Sequence, residues 1–521
     1  MKVKLNSAEK FFSAISPKWG MDRLKFKAYD SYYGASTTRR QTSQWQVGNK
    51  DADSDILKDL PYLRNRSRDL VRNNPLATGA INTNVTSVVG DGFKMRSTLD
   101  REVLNMTDDQ INALENTIER EWGLFANSLD CSVNRGMNFD SILNLIYRSC
   151  LENGDVFITT PRVSRKSQPY SLRLQVIEAD RVSNPEKKID NEKQRGGITF
   201  DATGAPTVYS ISKTHPGSSY SKDKNNWISI PAFNRNTGLR NIIHLFDQKR
   251  PGQSRGVPYL APVIESLKML GRYTEAEIMA AVISGMFTVF IESESNDFLG
   301  NMQPTDEIGG ASSDDDYKIG PGAMVGLAPG EKISSADPGR PNTAFDPFVQ
   351  AILRQVGVAL ELPYEILIKH FTASYSAARA ALLEAWKMFK TRRKFLVDNF
   401  CNIVFEIFMY EAVAKGRVNA PGFFTDPILK QAYLSNEWIG SAPGQLDPLK
   451  EINAAEKRLG LSLTSRTYEA AQLNGSNWEK TIKQIEKEKA IMPEPETVEE
   501  PKGAVGIDEN MDEEDTDLET N

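Results

Sequence analysis

The amino-acid sequence predicts a multi-domain α+β protein with long helices and a small mixed sheet. Three observations lead to this prediction. The chain has 521 residues, which is too many for one compact core. Apolar residues recur at helical spacing in both halves of the chain, and short runs of β-forming residues are concentrated between them. Apolar residues make up 40% of the chain and charged residues 25%, which is ordinary globular usage and excludes wholesale disorder.

The first part of the chain is predicted to be an arm followed by helices. Residues 1–60 are polar, with scattered aromatic side chains and no sustained period, which is typical of an arm that orders against something else. The helical pattern that follows is interrupted by Pro75, and a second, apolar helix ends at Gly90. A capping box at Thr107–Gln110 starts a third helix, and Phe139–Leu151 is a fourth.

The middle of the chain is predicted to be a sheet of about four to six strands. Short runs of β-forming residues are separated by turn residues there. The runs are Val156–Thr160, Leu172–Ile177, Gly197–Phe200 and Val208–Ile211. After Pro258 the pattern predicts a long helix that ends near Gly285. Residues 294–343 then lose the helical period and gain Gly, Pro and Asp, with a hairpin predicted at Met324–Ile333.

The second half is predicted to be mainly helical. One helix begins near Phe345 and breaks at Pro363, and the longest runs from Ser376 to about Lys415. The apolar stripe of the longest helix keeps a heptad-like alternation in which Arg393 takes the one polar place. Its most apolar window is well short of the roughly 20 residues that a membrane-spanning helix needs, so we predict a buried helix there.

The acidity of the chain lies in its last segment. A shorter helical region, residues 448–489, is followed by residues 493–521, which carry 12 carboxylates against one lysine, Lys502. Residues 1–492 have 62 basic and 57 acidic side chains, a net charge of +5. We therefore predict a solvated, disordered acidic tail on a body that is close to neutral.

No enzymatic motif is present in the sequence. It lacks a phosphate-binding loop, a nucleophile elbow, a zinc-protease motif and a dinucleotide fingerprint. The three histidines, His215, His244 and His370, are interpreted as core or loop residues, and Asp314–Asp316 as a solvated loop and not a cation site. Three distant cysteines give no disulfide framework, which indicates a reducing compartment. The sequence thus predicts no enzyme, no cofactor and no metal.

Two rows of basic residues are candidates for contacts with nucleic acid. On the longest helix, Lys387, Lys390 and Lys394 step by three and four residues along one face, with Arg393 beside them. Such a row can follow phosphates without reading sequence, although the solvated face of an amphipathic helix is the simpler interpretation. The same two interpretations apply to a second row: Arg64, Arg66, Arg68 and Arg72. A net body charge of only +5 argues against a tight, static nucleic-acid binder.

The order of several short motifs carries a resemblance to a known family. The motifs are Asn73–Ile81 with Val88–Phe93, Asn153–Phe157, Leu174–Arg181, Tyr209 with His215–Gly217, Ile243–Phe246 leading to Arg250–Pro258, Gly357–Glu365, Ser374–Ala380, and Trp438 with Asp447–Glu451. In this order, over roughly residues 60 to 490, the sequence resembles the lambda-type portal proteins of tailed bacteriophages. One departure is Ala179, where the family pattern tends to have Pro.

The resemblance implies a structural virion protein. Portal proteins form a ring, usually of twelve copies, at one vertex of the viral head, and genomic double-stranded DNA passes through it during packaging and ejection. ATP hydrolysis belongs to a separate terminase. The implied partners are the other copies in the ring, double-stranded DNA, the terminase large subunit, the major capsid and scaffold proteins, and a head-completion or adaptor protein, with no membrane. The implied location is the portal vertex of the virion, after assembly in the host cytoplasm.

The resemblance also implies the portal fold of wing, stem, clip and crown. Its boundaries would be an N-terminal arm (1–60), a wing of helices and sheet (61–258), a stem helix (259–285), a clip with a hairpin (286–344), a second stem helix (345–362), a tunnel loop (363–375), a long wing helix (376–418), a crown-like helical region (419–492) and the acidic tail (493–521).

The resemblance ranks the candidates for contact with DNA in the channel. Lys369 and His370, in the predicted tunnel loop, come first. The long-helix residues come second: Lys387, Lys390, Arg393 and Lys394. The alternative is a smaller connector, or a sequence-independent nucleic-acid-binding protein that forms no ring. A monomeric binder should carry a concentrated basic surface, and ring formation separates the two hypotheses.

Overall fold

The computed structural model describes residues 7–21, 33–36, 39–45, 47–220, 226–285, 289–293, 331–335, 344–371, 374–442, 448–474 and 478–491. The chain divides into two compact units, Met1–Trp438 and Ile439–Asn521. Several predictions from the sequence fall wholly or partly outside the described residues, among them parts of the arm, most of the clip, the loop at Asp314–Asp316, residues 324–330 of the predicted hairpin, part of the tunnel loop, and the acidic tail.

Helices form most of the described part of the chain up to Asn153. They are α1 (Ser7–Ile15), α2 (Ala52–Ile56), α3 (Leu60–Asn73), α4 (Pro75–Val88), α5 (Arg101–Leu104), α6 (Asp108–Ala126) and α7 (Phe139–Asn153). The predicted break at Pro75 is confirmed, and the side chain of Asn74 caps α4 by accepting from the amides of Leu76 and Ala77. The predicted capping box is confirmed too: Thr107 and Gln110 exchange hydrogen bonds of 3.4 and 3.0 Å.

The arm is less uniform than its sequence suggested. We found no sustained period in residues 1–60, yet α1 and α2 are helical. Asp53 on α2 is buried, and its carboxylate accepts from the backbone amide of Ser254 at 2.8 Å and pairs with Arg195 at 2.5 Å. The residues around α2 are therefore anchored to the body. The two helices were missed because neither is long enough to show several turns of apolar spacing.

The strands of the middle of the chain form two sheets where we predicted one. The described strands are β1 (Lys94–Ser97), β2 (Asp155–Thr159), β3 (Gln175–Ile177), β4 (Gln194–Arg195), β5 (Ile198–Phe200), β6 (Pro206–Ser212), β7 (Trp227–Pro231), β8 (Ile242–Phe246), β9 (Val289–Ser293), β10 (Glu331–Ser335) and β11 (Asn436–Ile439). One sheet has the order β3-β2-β8 and the other β4-β5-β6-β7. Neighbouring strands in both are antiparallel, so the prediction of a single mixed sheet was wrong.

The reason for that error lies in β2, which is buried along its whole length. Successive side chains of a strand point to opposite faces. Val156 and Ile158 enter the main core, while Phe157 enters a second core between the sheets with Tyr209 and Ile242. A strand with apolar neighbours on both sides shows no alternation in its sequence, so periodicity cannot assign its partners.

The rest of the first unit is mainly helical. Its helices are α8 (Ile264–Gly285), α9 (Phe345–Ala359), α10 (Tyr364–Ile368), α11 (Tyr375–Leu396), α12 (Asn402–Ala414) and α13 (Pro427–Tyr433). The ring of Tyr273 on α8 stacks on Phe345 of α9 at 5.5 Å. β9 and β10 pair antiparallel, so residues 331–335, which include the described end of the predicted hairpin, pair with residues 289–293.

The longest predicted helix is confirmed, with one irregularity. Residues 397–401 form a π-helical turn that joins α11 to α12. The buried side chains Phe400, Phe405 and Phe408 meet an aromatic cluster around Trp122, with ring centres 5.7 Å (Phe405) and 5.2 Å (Phe408) from Trp122. The most apolar window of the chain is therefore a core helix, as predicted. The break that follows Pro363 is not wholly a loop, because α10 lies within it.

The second unit contains three described helices: α14 (Pro448–Gly460), α15 (Arg466–Asn474) and α16 (Trp478–Ile491). Arg458 on α14 and Glu469 on α15 pair at 2.7 Å, which joins these two helices. The helical region predicted at 448–489 is confirmed. Across the described parts of both units, none of the helices combines the length and the apolar character needed to cross a membrane.

Candidate functional site

Three lysines of α11 form an exposed row, here called the lysine row: Lys387, Lys390 and Lys394. All three side chains are exposed, as their spacing on one helix face predicted. Lys387 pairs with Glu384 at 2.6 Å and Lys394 with Asp398 at 2.7 Å, and both pairs lie in solvent. Exposed pairs of this kind are weak, so a phosphate can compete for either lysine.

Arg393 does not belong to this row, contrary to the prediction. Its guanidinium is half-buried and donates to the carbonyl oxygens of Val88 at 3.1 Å and Ser87 at 3.3 Å. It also lies 5.4 Å from the ring of Trp386. Burial lowers its pKa, against the opposing effect of Asp91. Arg393 therefore caps the carboxyl end of α4, because its position on the helix wheel is next to the apolar stripe and about 100° from Lys394.

Lys369 and His370 follow α10 directly, and both are exposed. Lys369 adopts a left-handed conformation with φ of 55°, and its backbone amide bonds to the carbonyl of Glu365 and ends the helix. The amide of His370 bonds to the same carbonyl at 3.1 Å. Their backbones are thus held while their side chains reach solvent, which suits a contact with a mobile partner.

The arginine row of α3 is divided between the interior and the surface. Arg66 and Arg72 are exposed, whereas Arg64 is buried and Arg68 is half-buried. Arg68 pairs with Asp180 and, at 3.2 Å, with Glu178. The interpretation of the whole row as a solvated face or a phosphate track was therefore wrong for Arg64 and Arg68, since their face of α3 meets carboxylates from the sheet region.

Four residues form a buried charge cluster around one carboxylate: Arg64, Asp155, His244 and Arg255. Asp155 lies at the start of β2 and is completely buried. Its carboxylate is 2.6 Å from Arg64, 2.5 Å from Arg255 and 3.2 Å from the Nε2 atom of His244. Burial by itself would raise the pKa of Asp155, but the two guanidiniums outweigh it and hold the pKa well below the ordinary value.

Burial lowers the pKa of two of the basic side chains around Asp155, Arg64 and His244. Burial lowers the pKa of Arg64 to about 10, even though Asp155 opposes the shift. Burial also lowers the pKa of His244, although its hydrogen bond to Asp155 acts in the opposite direction. His244 is therefore neutral at pH 7, and its ring stacks on Phe157 at 4.2 Å. It is a core histidine, as the sequence indicated.

Arg255 joins the buried charge cluster to the backbone around it. Its guanidinium donates to the carbonyl oxygens of Val182 at 2.9 Å, Gly196 at 2.6 Å and Ala179 at 2.8 Å. The chain before β4 and the turn that leads into β5 are thereby held to β2. This group of contacts was missed at the level of sequence, although the motifs Asn153–Phe157 and Arg250–Pro258 were recognised and both contribute to it.

Two glycines allow those motifs to approach each other. Gly154 has φ of 89°, and a methyl group on its Cα would lie 2.5 Å from the carbonyl of Gly256. A methyl group on Gly256 would lie 1.9 Å from the carbonyl oxygen of Gly154. No side chain fits at either position, so the close approach of these two chain segments requires glycine at both 154 and 256.

A group with metal-binding residue types lies beside the cluster. Ligand atoms of Glu178, Asp180 and His215 lie within 4.8 Å of one another. Arg68 contacts both carboxylates and supplies the positive charge that compensates them. The arrangement is explained as an ion-pair network, and we assign no metal to it.

Comparison with known proteins shows which family this chain belongs to. A model described as phage portal protein, lambda family, matches residues 38–393, which include the buried charge cluster and most of α11. This chain belongs to the lambda family of phage portal proteins. It is 26% identical to Portal protein B of Escherichia phage lambda over 481 residues, covering 87% of this chain and 88% of that protein. It is 25% identical to the portal protein of Escherichia phage N15, covering 86% and 88%.

Among solved structures, one that is similar to this chain is a chain in the neck of a native gene transfer agent particle, computed with C12 symmetry. It is 12% identical, with a TM-score of 0.43, and the match covers 80% of this chain and 94% of that one. Within this portal protein the family match ends at Arg393. It therefore contains Lys387 and Lys390 of the lysine row and excludes Lys394 and the second unit.

Proposed function

We propose that this portal protein assembles into a closed ring of twelve copies at one vertex of the viral head, as the conduit for double-stranded DNA during packaging and ejection. The observation that carries the proposal is family membership over residues 38–393, together with a match that spans 88% of Portal protein B of phage lambda. The chain acts as a structural component of the virion and has no catalytic role in this proposal.

Exposed apolar side chains on α8 support assembly with other copies. Ile278 and Val282 lie about 40° apart around the helix and are 59% and 47% exposed. Met269 lies about 180° from Ile278 and is 63% exposed, and Met279, 56% exposed, lies between the two sides. A cyclic ring needs two different contacting faces on each subunit, and apolar side chains on opposite sides of one helix suit that requirement.

We further propose that α8 and α9 are the two stem helices, with residues 286–344 between them as the clip. The stacking of Tyr273 on Phe345 supports this pairing of helices. Residues 61–258 would form the wing, 363–375 the tunnel loop with α10 inside it, 376–418 the long wing helix, and 419–492 the crown. The clip would meet the terminase large subunit and later the head-completion or adaptor protein.

The contacts with DNA are proposed for exposed basic side chains only. Lys369 and His370 come first and the lysine row second, while Arg393 is excluded because it caps α4. A channel must hold a polyanion loosely enough for sliding, so few phosphate contacts per subunit, repeated around the ring, are suitable. The wing would contact the major capsid and scaffold proteins after assembly in the host cytoplasm.

The mass and shape of the purified, untagged protein test this proposal. We expect light scattering to give about 700 kDa, for twelve chains of 58.2 kDa, and negative-stain images to show a ring with a central hole. A protein that stays monomeric with its scaffold protein present, and binds DNA as a monomer, would overturn the ring and favour a nucleic-acid-binding protein without one.

A further inference from the structure

The segment 162–171, between β2 and β3, contacts three carboxylates of the first unit. These carboxylates belong to Glu121 on α6, Asp130, and Glu411 on α12. Glu411 accepts hydrogen bonds from the amide and the hydroxyl of Ser171 at 2.5 and 2.7 Å. Glu121 accepts a hydrogen bond from the hydroxyl of Tyr170 at 2.7 Å. Three acidic side chains from separate parts of the sequence therefore lie around one segment.

Each of the three carboxylates is contacted by two basic side chains. The contacts are those of Arg120 and Arg417 with Glu121, of Arg135 and Arg165 with Asp130, and of Arg162 and Lys415 with Glu411. Lys166, next to Arg165, is exposed, and in the described part of the chain it pairs with no acidic side chain. An ordinary surface ion pair joins one cation to one carboxylate, so positive charge is in excess here.

The negative charges of this region are inside and the positive charges are outside. Glu121 and Glu411 are buried. The side chains of Arg120 and Arg135, by contrast, are 68% and 65% exposed. The surface that a ligand would meet is therefore positive. We call the six cations that contact the carboxylates, together with Lys166, the basic patch.

A further arginine close to the basic patch is buried. Arg173 donates from its Nη1 atom to the carbonyl oxygen of Leu172 at 2.6 Å. Its Nε and Nη2 atoms have no hydrogen-bond partner among the residues that the structure describes. Burial lowers the pKa of Arg173, and the charge of Arg165 lowers it further, against the opposing effect of Asp130. Like charges held this close repel one another, and a bound polyanion would relieve that repulsion.

The basic patch and Arg173 account for the net charge of the body. With the three carboxylates they make eight basic and three acidic side chains, a net charge of +5. Residues 1–492 as a whole also have a net charge of +5. The charges of the remaining body therefore cancel, and the excess is concentrated in one region. A concentrated basic surface is the electrostatic signature of a nucleic-acid contact.

The composition of the patch favours a nucleic acid over an acidic protein as its ligand. The centre of a protein–protein interface is usually rich in apolar and aromatic side chains and poor in charge. Within the segment 162–171 the one aromatic residue, Tyr170, is buried, and Val163 is the one exposed aliphatic residue apart from proline. Phosphates need no apolar contact, and exposed Lys and Arg side chains can follow them without reading the base sequence.

We propose that the basic patch binds the phosphate backbone of double-stranded DNA, in addition to the channel candidates named above. Arg120, Arg135 and Lys166 contact the phosphates, since their side chains are exposed. Arg417 and Arg165 continue to neutralise the carboxylates beneath them. The patch is complete within one subunit, so the proposal does not depend on the formation of a ring.

Binding of a short fluorescent DNA duplex to the full-length protein, followed by anisotropy, tests the proposal. The patch variant combines Arg120→Gln, Arg135→Gln and Lys166→Gln, and it leaves each carboxylate with at least one cation. The matched control removes the same charge from exposed positions of the first unit outside the patch: Lys58→Gln, Arg235→Gln and Lys249→Gln.

We expect the patch variant to bind the duplex at least about tenfold more weakly than the wild type, and the slope of its salt dependence to fall by roughly 2 to 3, since each phosphate contact contributes about 0.9. The control should lose less than about threefold in affinity and keep its slope. Equal losses in the two variants would overturn the proposal, because net charge alone would then explain the binding.

Poly-glutamate, as a second probe, separates DNA from an acidic protein. If the patch variant loses poly-glutamate binding while its DNA binding is unchanged, the proposal is overturned in favour of an acidic protein partner. Light scattering on the same samples reports the assembly state. Failure of the ring and failure of this DNA surface are therefore distinguishable.

Lysine acetylation gives another measurement that needs no variant. The full-length protein is acetylated briefly with and without the duplex, and mass spectrometry follows Lys166, Lys415 and Lys58. We expect DNA to slow the acetylation of Lys166 and Lys415 at least several-fold and to leave Lys58 unchanged. Equal acetylation of Lys166 with and without DNA would contradict the proposal, whether or not the protein forms a ring.

Discussion

Arg255 contacts Asp155 at 2.5 Å although the two residues are 100 positions apart in the sequence. Arg64 approaches the same carboxylate from α3, so one buried charge connects the helical region to both sheets. A buried ion pair is costly to form and more costly to break, because the remaining charge cannot return to water. The motifs Asn153–Phe157 and Arg250–Pro258 therefore meet at one buried carboxylate.

Arg255→Ala should lower the free energy of unfolding by about 3 to 5 kcal/mol, because it removes one partner of a buried pair. Urea unfolding followed by tryptophan fluorescence measures the change. The matched control is Arg250→Ala, whose pair with Asp55 at 2.7 Å is exposed and should contribute less than about 1 kcal/mol. Similar losses for the two variants would contradict the assignment.

Glu411 should make the stability of the first unit depend on pH between about 4.5 and 2. Burial by itself raises its pKa, but hydrogen bonds from Lys415 and from the amide and hydroxyl of Ser171 outweigh burial and lower the pKa to about 2. Because the folded pKa is below the unfolded one, the stabilisation is present above pH 4.5 and is lost as pH falls toward 2. It amounts to at most roughly 3 kcal/mol.

Unfolding of Glu411→Gln across that range checks this prediction. The variant should be less stable than the wild type at pH 7, and the two should converge near pH 2. Parallel stability curves for the two proteins would show that Glu411 is not the group responsible.

Gly154→Ala should be far more damaging than Gly204→Ala. The two glycines have nearly the same φ, 89° and 84°, so the conformational strain of an alanine is similar, about 1 to 2 kcal/mol. They differ in their surroundings: a methyl group at Gly204 meets nothing within 4 Å, whereas one at Gly154 collides with Gly256. We expect Gly204→Ala to fold with a small loss of stability and Gly154→Ala to lose several kcal/mol or to misfold. Comparable melting temperatures would show that the contact relaxes easily.

Replacing the lysine row with glutamine should weaken DNA retention without preventing ring assembly. Each phosphate contact contributes about 0.9 to the salt dependence of binding, so the retention of packaged DNA should also become less sensitive to salt. The matched control is Arg393→Gln, which should lower the melting temperature through loss of the α4 cap and leave the salt dependence unchanged. Full genome retention in the triple variant would remove the lysine row from the channel.

Lys369→Ala should lower packaging yield while the ring retains its mass. The residue is exposed and only its backbone takes part in ending α10, so its side chain is dispensable for folding. Particle DNA content, measured beside ring mass, tests the prediction. Normal packaging would exclude Lys369 as a channel contact.

Local features of the fold were predictable from the sequence. The capping box at Thr107, the break at Pro75, the long helix from Ser376 and the buried histidine His244 depend on neighbours within a few residues or on strong apolar periodicity. The order of short motifs also identified the family, which the family match over residues 38–393 confirms.

The tertiary structure decided which charges are functional candidates and which are structural. Arg64 and Lys387 both belong to basic rows at helical spacing, and the sequence treats them alike. Arg64 is buried because its carboxylate partner, Asp155, arrives from 91 residues away, while Lys387 has only Glu384 in its own helix and stays in solvent. The tertiary structure also decided the partners of β2. This strand is buried on both faces and contacts a different core on each, and the strands around it form two sheets. Helical and strand periods report the nearest few residues, whereas burial and ion pairing are set by segments that meet only when the chain has folded.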